Sequence, residues 1–382
     1  MAVADSLASA RRLFDLPEDV AYLNCAFFPP MPRPVREAGR RALEGMVPWE
    51  TTTRDFFEPG ERLRTAFGAL IGGDPDGVAF VPSVSYGVGV AARNLTVGPG
   101  RTVMILDEEF PSDVYPFRAK LAAEGGEFVV VPRPREVSWT DAVIAGIDER
   151  TAVVVVPQVH WTDGRAVDLT AVGAAARAVG AALVIDVSQS LGAAPLDLSV
   201  VRPDFLVAAG YKWLMGPYSF GYLWAAEHRR EGAGIEQTWI GRKGSDDFNR
   251  LVDYTDELRA GARRYDSGEW SNFTLLPMAA AAIDLVSAWG PERVAATLEP
   301  LTARVEEGAR RLGLEPVAAE HRLSHIVGIR FPHGEPSGLR ERLATARVFV
   351  SLRANAVRVS PYLYNDAADV DRLLEVLGEV LK

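Results

Sequence analysis

From Val78 to Ala225 the chain alternates short apolar runs with segments whose apolar residues recur at helical spacing. "GVAFVP" (77–82) predicts a strand and "SYGVGVAARNL" after it a helix. "TVMILD" (102–107) predicts a strand and "SDVYPFRAKLAAEG" (112–125) a helix. "EFVVVP" and "WTDAVIAGID" repeat the pair, as do "TAVVVVP" and "LTAVGAAARAVG". Three further strands, "ALVID" (182–186), "DFLVAAG" (204–210) and "SFGYLWA" (219–225), close the series. These runs are apolar on both faces, as strands covered by helices on both sides are. The β-α-β-α order predicts an α/β fold with a mostly parallel, doubly wound sheet.

Residues 230–270 break the pattern with a polar, glycine-rich stretch that carries Trp and Tyr, and long irregular segments of this kind are usually functional. Helices are expected over 273–288 and 291–312, then strands at "SHIVGIRF", "VFVSLRA" and "AVRVSP", and a closing helix over 366–381. The expected division is an N-terminal helical arm (1–20), a large domain (21–272) and a smaller C-terminal α+β domain (273–382). Pro29, Pro30, Pro32 and Pro34 make residues 26–34 an extended entry into the large domain.

Composition narrows the partners. A net charge of −10 over 382 residues argues against nucleic acid or an anionic membrane, which need a basic surface. Cys25 is the only cysteine, so no intrachain disulfide and no cysteine zinc site is possible. That fits a reducing cytoplasm, as does an N-terminus with scattered charges and no apolar signal core. The longest apolar run, "TAVVVVPQV", is far short of a membrane span. His321 and His325 are four apart, but they sit where a strand is expected, so no helical metal pair is read there.

The chemistry gathers around Lys212, which lies in "AAGYKWLMGP" with apolar neighbours on both sides. A lone lysine is ordinarily a solvated surface charge. Forced into an apolar setting, its ammonium is desolvated and its amine becomes available as nucleophile and base. Asp186 ends a strand at the edge where open α/β sheets bind ligands. Alone it reads as a helix cap; with Lys212 it supplies the second requirement of pyridoxal phosphate, a carboxylate for the ring nitrogen. Gln189 is placed to donate to the ring hydroxyl. The phosphate needs donors, and "VPSVSYGVGVAAR" (81–93) passes from strand to helix through Ser83, Ser85 and Tyr86. The same segment holds a rival. Gly87, Gly89 and Ala92 spell a dinucleotide fingerprint with Asp107 as its acidic residue, which would make a nicotinamide- or flavin-dependent oxidoreductase. That reading leaves Asp186, Gln189 and Lys212 without a job.

With those residues in place, the sequence resembles the class V aminotransferases, the fold-type I pyridoxal-phosphate group that holds cysteine desulfurases, kynureninases and isopenicillin-N epimerase-like enzymes. "DVSQSLGA" and "AAGYKWLMGPYSFGYLW" match its aspartate and lysine motifs. "YLNCAFFPPMP", "EEFPSDVYPF", "VHWTDGRAVDL" and "VSLRANAVRVSPYLYNDAADVDRLLE" follow in the family's order. The resemblance implies Lys212 as the Schiff-base lysine, Asp186 as the pyridinium partner and Gln189 as the ring-hydroxyl contact. It implies Phe110 as the stacking aromatic and Ser85, Tyr86 and Tyr211 as phosphate contacts. Trp161 falls in the loop facing the cofactor, with His160 beside it as catalytic neighbour or structural histidine. "DSGEWSN" (266–272) matches the family's stretch that reaches across a homodimer, which brings in Trp270, Ser271 and Asn272. Arg358, with Arg353 close behind and Asn24 in support, is expected at the substrate carboxylate. No cysteine follows Cys25, which argues against a persulfide relay, and no "GxSxG" elbow supports a hydrolase. The expected activity is side-chain elimination from an amino acid, of the C–S lyase type, with transamination or epimerisation as alternatives.

Overall fold

The run Thr151–Pro157 is buried at all seven positions and forms an inner strand of a seven-stranded sheet. Five of those residues are β-branched, which suits a pleated surface packed on both faces. The computed structural model describes residue 7 and residues 10–134, 137–353 and 355–382. The chain opens with a short strand β1 (Ala21–Tyr22) and two helices, α1 (Arg33–Glu44) and α2 (Thr53–Leu70). There follow β2 (Val78–Val81), α3 (Val84–Asn94), β3 (Thr102–Leu106), α4 (Pro111–Glu124), β4 (Glu127–Val131) and α5 (Trp139–Gly146). The series continues with β5 (Thr151–Pro157), α6 (Leu169–Ala178), β6 (Ala182–Asp186), α7 (Leu198–Val201), β7 (Phe205–Ala209) and β8 (Gly221–Ala225). Helices α8 (Leu275–Trp289) and α9 (Pro291–Arg311) lead to β9 (Glu315–Pro316), β10 (Val327–Arg330) and α10 (Leu339–Thr345). The chain closes with β11 (Val348–Phe349), β12 (Ser351–Arg353), β13 (Ala356–Val359) and α11 (Ala367–Val380).

The large sheet has the order β2-β8-β7-β6-β5-β3-β4. Strand β8 runs antiparallel to both neighbours, and the other pairs in the sheet are parallel. This is the α/β, mostly parallel architecture the apolar runs predict. Two hydrophobic clusters cover its faces, one including Met104, Val154 and Ile185, the other Val103, Val153 and Val184. Successive residues thus feed opposite layers, which is why the runs show no polar alternation.

The glycine fingerprint falls to this topology. Gly87 and Gly89 lie inside α3, not in the turn before it, and β2 is an edge strand paired only to the antiparallel β8. A Cβ on Gly87 would sit 2.8 Å from Val207 Cγ1, so the glycine lets α3 lie close on β7. The dinucleotide reading is therefore replaced by a packing role.

The division of the chain differs from the expectation at both ends. Among the described residues of 1–20 the arm contains one 3-10 turn, Arg11–Leu13, and residues 1–6 and 8–9 lie outside the described set. Ala21 and Leu23 join the small core with Val305, Ile329, Val359 and Leu373, because β1 pairs in parallel with β11. Helix α8, expected in the small domain, packs on α1 and α2 and buries Leu276, Ala279 and Ile283 in the large core. Gly39 of α1 makes the approach possible, since a Cβ there would lie 2.6 Å from Met278 Sδ. Helix α1 goes unseen in the periodicity because only Val35, Ala38 and Gly39 of its twelve residues are buried.

Candidate active site

The carboxyl ends of β3, β5, β6 and β7 converge on Lys212. Asp186 is the last residue of β6, and Lys212 lies in the turn after β7. Beyond β5 come His160 and Trp161, and beyond β3 comes Phe110, the N-cap of α4. Ser188 fixes the geometry between the two central strands. Its amide donates to Asp186 Oδ1 at 2.7 Å, and its hydroxyl accepts the Ala209 amide at 2.8 Å.

Lys212 is 8 % exposed, and no described residue hydrogen-bonds or ion-pairs with its amine. Nζ lies 5.3 Å from the centroid of the Phe110 ring and 5.8 Å from that of Tyr211. Burial lowers its pKa to about 8, with the Asp186 charge pulling the other way. An amine of that kind is poised for covalent work near neutral pH. Asp186 keeps Oδ2 without an N–H donor from the described residues, which suits a ring nitrogen. Gln189 is buried, donating Nε2 to the Ala26 carbonyl at 3.1 Å and accepting Trp213 Nε1 at 3.2 Å.

At the start of α3, Ser83 caps the helix by accepting the Tyr86 amide, and its hydroxyl lies 2.9 Å from that of Ser85. The amides of Val84 and Ser85 have no acceptor among the described residues, which suits an anion such as a phosphate. The Tyr86 hydroxyl is buried and lies near Glu236. Tyr211 packs on Tyr218 and Phe28 with centroids 4.8 and 5.5 Å away.

Trp270 is placed differently from the rest. It is 5 % exposed, with its ring 5.5 Å from Phe80 and 6.5 Å from Phe57, and the Arg64 guanidinium lies over it. A Cβ on Gly60 would overlap the indole at 2.1 Å. Within this chain it is a core residue. Ser271 is buried beside it, and Asn272 caps α8 by accepting the amides of Thr274 and Leu275. Both ring nitrogens of His160 are engaged within the chain: Nδ1 faces Thr162 Oγ1 at 2.8 Å, Nε2 faces the Asp107 carbonyl at 3.0 Å, and the ring stacks on Trp139. Trp161 donates Nε1 to the Glu108 carbonyl at 2.7 Å and meets the Phe110 ring edge-on at 5.5 Å.

The β12–β13 hairpin meets the Trp161 segment through Arg358. Arg358 is 1 % exposed and donates to the Trp161 carbonyl and, at 3.3 Å, to Ser351 Oγ. Ser351 in turn donates to Asn24 Oδ1 at 2.8 Å. Burial, and after it the charge of Arg353, lowers the Arg358 pKa to about 9.

Two acids near Asp186 escape the sequence reading. Glu109 and Asp113 are 8 % and 2 % exposed. Burial pushes Glu109 up to about 8 and Asp113 well above the carboxylate range, with the Asp186 charge adding to both. Both Asp113 oxygens are buried without a hydrogen-bond partner among the described residues, so burial and the nearby Asp186 charge together favour the protonated Asp113. The signal was present in "EEFPSD", three acids within six residues of a strand end.

A buried amine, a strand-end carboxylate, an aromatic ring beside the amine and free amides at a helix start fit pyridoxal phosphate residue by residue. The family profile of the class-V aminotransferases matches residues 50–373. The chain belongs to the class-V aminotransferase family. It is 27 % identical over 347 residues to an uncharacterized aminotransferase, YcbU, of Bacillus subtilis (strain 168), covering 90 % of each chain. It is 28 % identical over 414 residues to isopenicillin N epimerase of Amycolatopsis lactamdurans, covering all of both chains. Its fold superimposes on the cystine C–S lyase C-DES, solved in complex with its reaction product cysteine persulfide, with a TM-score of 0.86. That match is 18 % identical and covers 95 % of this chain and 98 % of the other. This class-V protein is a pyridoxal-phosphate-dependent enzyme. Among the described residues, no helix is long and apolar enough to cross a membrane.

Proposed function

We propose that the enzyme binds an amino acid and eliminates a group from its Cβ, breaking a C–S bond of an S-substituted cysteine. The observation that carries this reading is the isolation of the Lys212 amine, buried and unpaired with a pKa of about 8. Pyridoxal phosphate bound beside it supplies an electron sink for the bonds at the substrate's Cα. Asp186 holds the charge that keeps the ring nitrogen protonated, and Phe110 and Tyr211 flank the amine. Arg358 holds the α-carboxylate in a two-pronged grip. Lys212 Nζ takes the Cα proton, and the ammonium so formed returns a proton to the departing sulfur. With one water consumed, the cysteine derivative yields thiol, pyruvate and ammonium.

Two other outcomes find less support among the described residues of the site. Epimerisation with two bases needs a proton carrier opposite Lys212, and both ring nitrogens of His160 are engaged. A relay through a protein persulfide needs an accessible thiol, and Cys25 is fully buried. The same reading makes the enzyme a homodimer in the cytoplasm. The exposed Trp49, Val252 and Tyr254 are apolar surface of the kind a subunit interface covers. Purified holoenzyme given S-substituted cysteines should release thiol and pyruvate in equal amounts without a keto acid. Turnover that starts only on adding a keto acid would replace this reading with transamination.

A further inference from the structure

Arg353 and Arg358 share one face of the β12–β13 hairpin. The register pairs Ser351 with Arg358 and Arg353 with Ala356. Residues opposite each other, and residues two apart, point to the same side of a sheet. Two guanidiniums therefore rise side by side beside Trp161, and the Arg353 guanidinium lies 5.5 Å from the centroid of that ring. Neither has a carboxylate partner among the described residues. Arg353 Nη1 reaches only the carbonyl of Leu352 at 3.1 Å, and Arg358 reaches a carbonyl and a hydroxyl. The Nε of each is buried without an acceptor.

This is unusual in a chain of net charge −10, where arginines commonly meet an acid, as Arg133 meets Glu108 and Arg304 meets Asp371. Two like charges held together and left unpaired are a standing repulsion that a ligand of opposite charge relieves. One α-carboxylate occupies one arginine fork. Arg358, deeper and tied through Ser351 to Asn24, takes that role. Arg353 is half-buried at the strand end, where a substrate's far end would pass Trp161.

We propose that Arg353 is a specificity residue for a second anion, so that the substrate is an amino acid whose side chain ends in a carboxylate. This rests on the reading of the site as one that binds an amino acid. It assigns to the second arginine a partner that a neutral side chain cannot supply. On the elimination reading, the substrate is an S-(carboxyalkyl)cysteine and the leaving group a mercapto acid.

The probe pair is S-carboxymethyl-L-cysteine and S-carbamoylmethyl-L-cysteine, which differ in charge and scarcely in size. Binding to the holoenzyme is read from the change in cofactor absorbance, and thiol release is read separately. The acid should bind at least about tenfold more tightly than the amide, the size of a charge-assisted hydrogen bond. The preference should shrink with added salt. In Arg353→Gln the ratio of the two affinities should fall to about one, and in Arg353→Lys part of it should return. Equal binding by the wild type, or a preference that persists in Arg353→Gln, overturns the proposal. The two readings fail separately. An acid preference that depends on Arg353, without thiol release, leaves this inference standing and removes elimination. Thiol released equally from both probes does the reverse.

Discussion

Arg64 of α2 and Asp266 form an ion pair at 2.6 Å with both side chains shut away from solvent. Asp266 Oδ1 also accepts the Phe80 amide at 2.8 Å, and Arg64 Nη1 donates to the Val78 carbonyl at 2.5 Å. The pair thus ties the segment before Trp270 to β2, the strand that leads into α3. Removing one partner leaves a buried charge alone. Arg64→Ala should lose about 3–5 kcal/mol of unfolding free energy in denaturant titration. Arg64→Met with Asp266→Leu should lose clearly less than the sum of the single changes. Equal and additive losses would show that the pair is not coupled.

Cofactor capture should follow the Lys212 amine. Its free-base fraction grows about tenfold per pH unit below a pKa of about 8 and levels off above it. The rate at which apoprotein takes up pyridoxal phosphate, followed by absorbance, should trace that curve. Borohydride reduction and peptide mapping should place the pyridoxyl group on Lys212, and Lys212→Ala should carry none.

Asp186→Asn replaces a charge with a neutral isostere in the same hydrogen-bonding position. A carboxylate at that range shifts its partner's pKa by about 1–3 units. Turnover should fall by more than about tenfold while part of the cofactor stays bound. Near-normal turnover in this variant would reduce Asp186 to a cap for Ser188.

Glu109 offers a pH test of the acidic cluster. Its folded pKa of about 8 lies above the unfolded value of about 4.3. Both states hold the proton below pH 4, so its contribution is complete there. Between pH 4 and 8 the unfolded chain releases the proton and the folded one keeps it, so stability falls as pH rises. In apoprotein, Glu109→Gln should gain Tm relative to the wild type as pH goes from 5 to 8. A constant difference across that range would place Glu109 in ordinary contact with water.

Arg358→Ala should raise KM for the amino acid about 10- to 100-fold, the loss of a charge-assisted pair. The absorbance of the resting holoenzyme should be unaltered. An unchanged KM would move the α-carboxylate to another residue.

The parallel sheet was legible because its strands are buried on both faces and need no tertiary knowledge to stand out. Lys212 and Asp186 were legible for the same reason, as polar residues in apolar runs. Glu109 and Asp113 were not, because an acid in a strand-to-helix turn or in a helix's first turn reads as solvated, or as a partner of the helix dipole, until the fold closes over it. The pairing of Arg353 with Arg358 was visible as adjacent strands, but their lack of acidic partners depends on every other chain segment. Trp270 is legible only with the fold in hand. The family resemblance implied a reach across a dimer for its segment, whereas within this chain Gly60 leaves room for the indole in the core. The packing of α8 was not legible either, since the helix carries no compositional break and is held by α1 and α2.

The pairing of β1 with β11 has a consequence for how the protein is made. Ala21 meets Val348, so about 330 residues must be synthesised before the first strand finds its partner. At about 5–20 residues per second that is an interval of roughly 15 to 65 s. Through it Ala21 and Leu23, destined for zero exposure, have no core to enter. The large sheet can close meanwhile from its own strands, while β1 stays unpaired until β11 emerges.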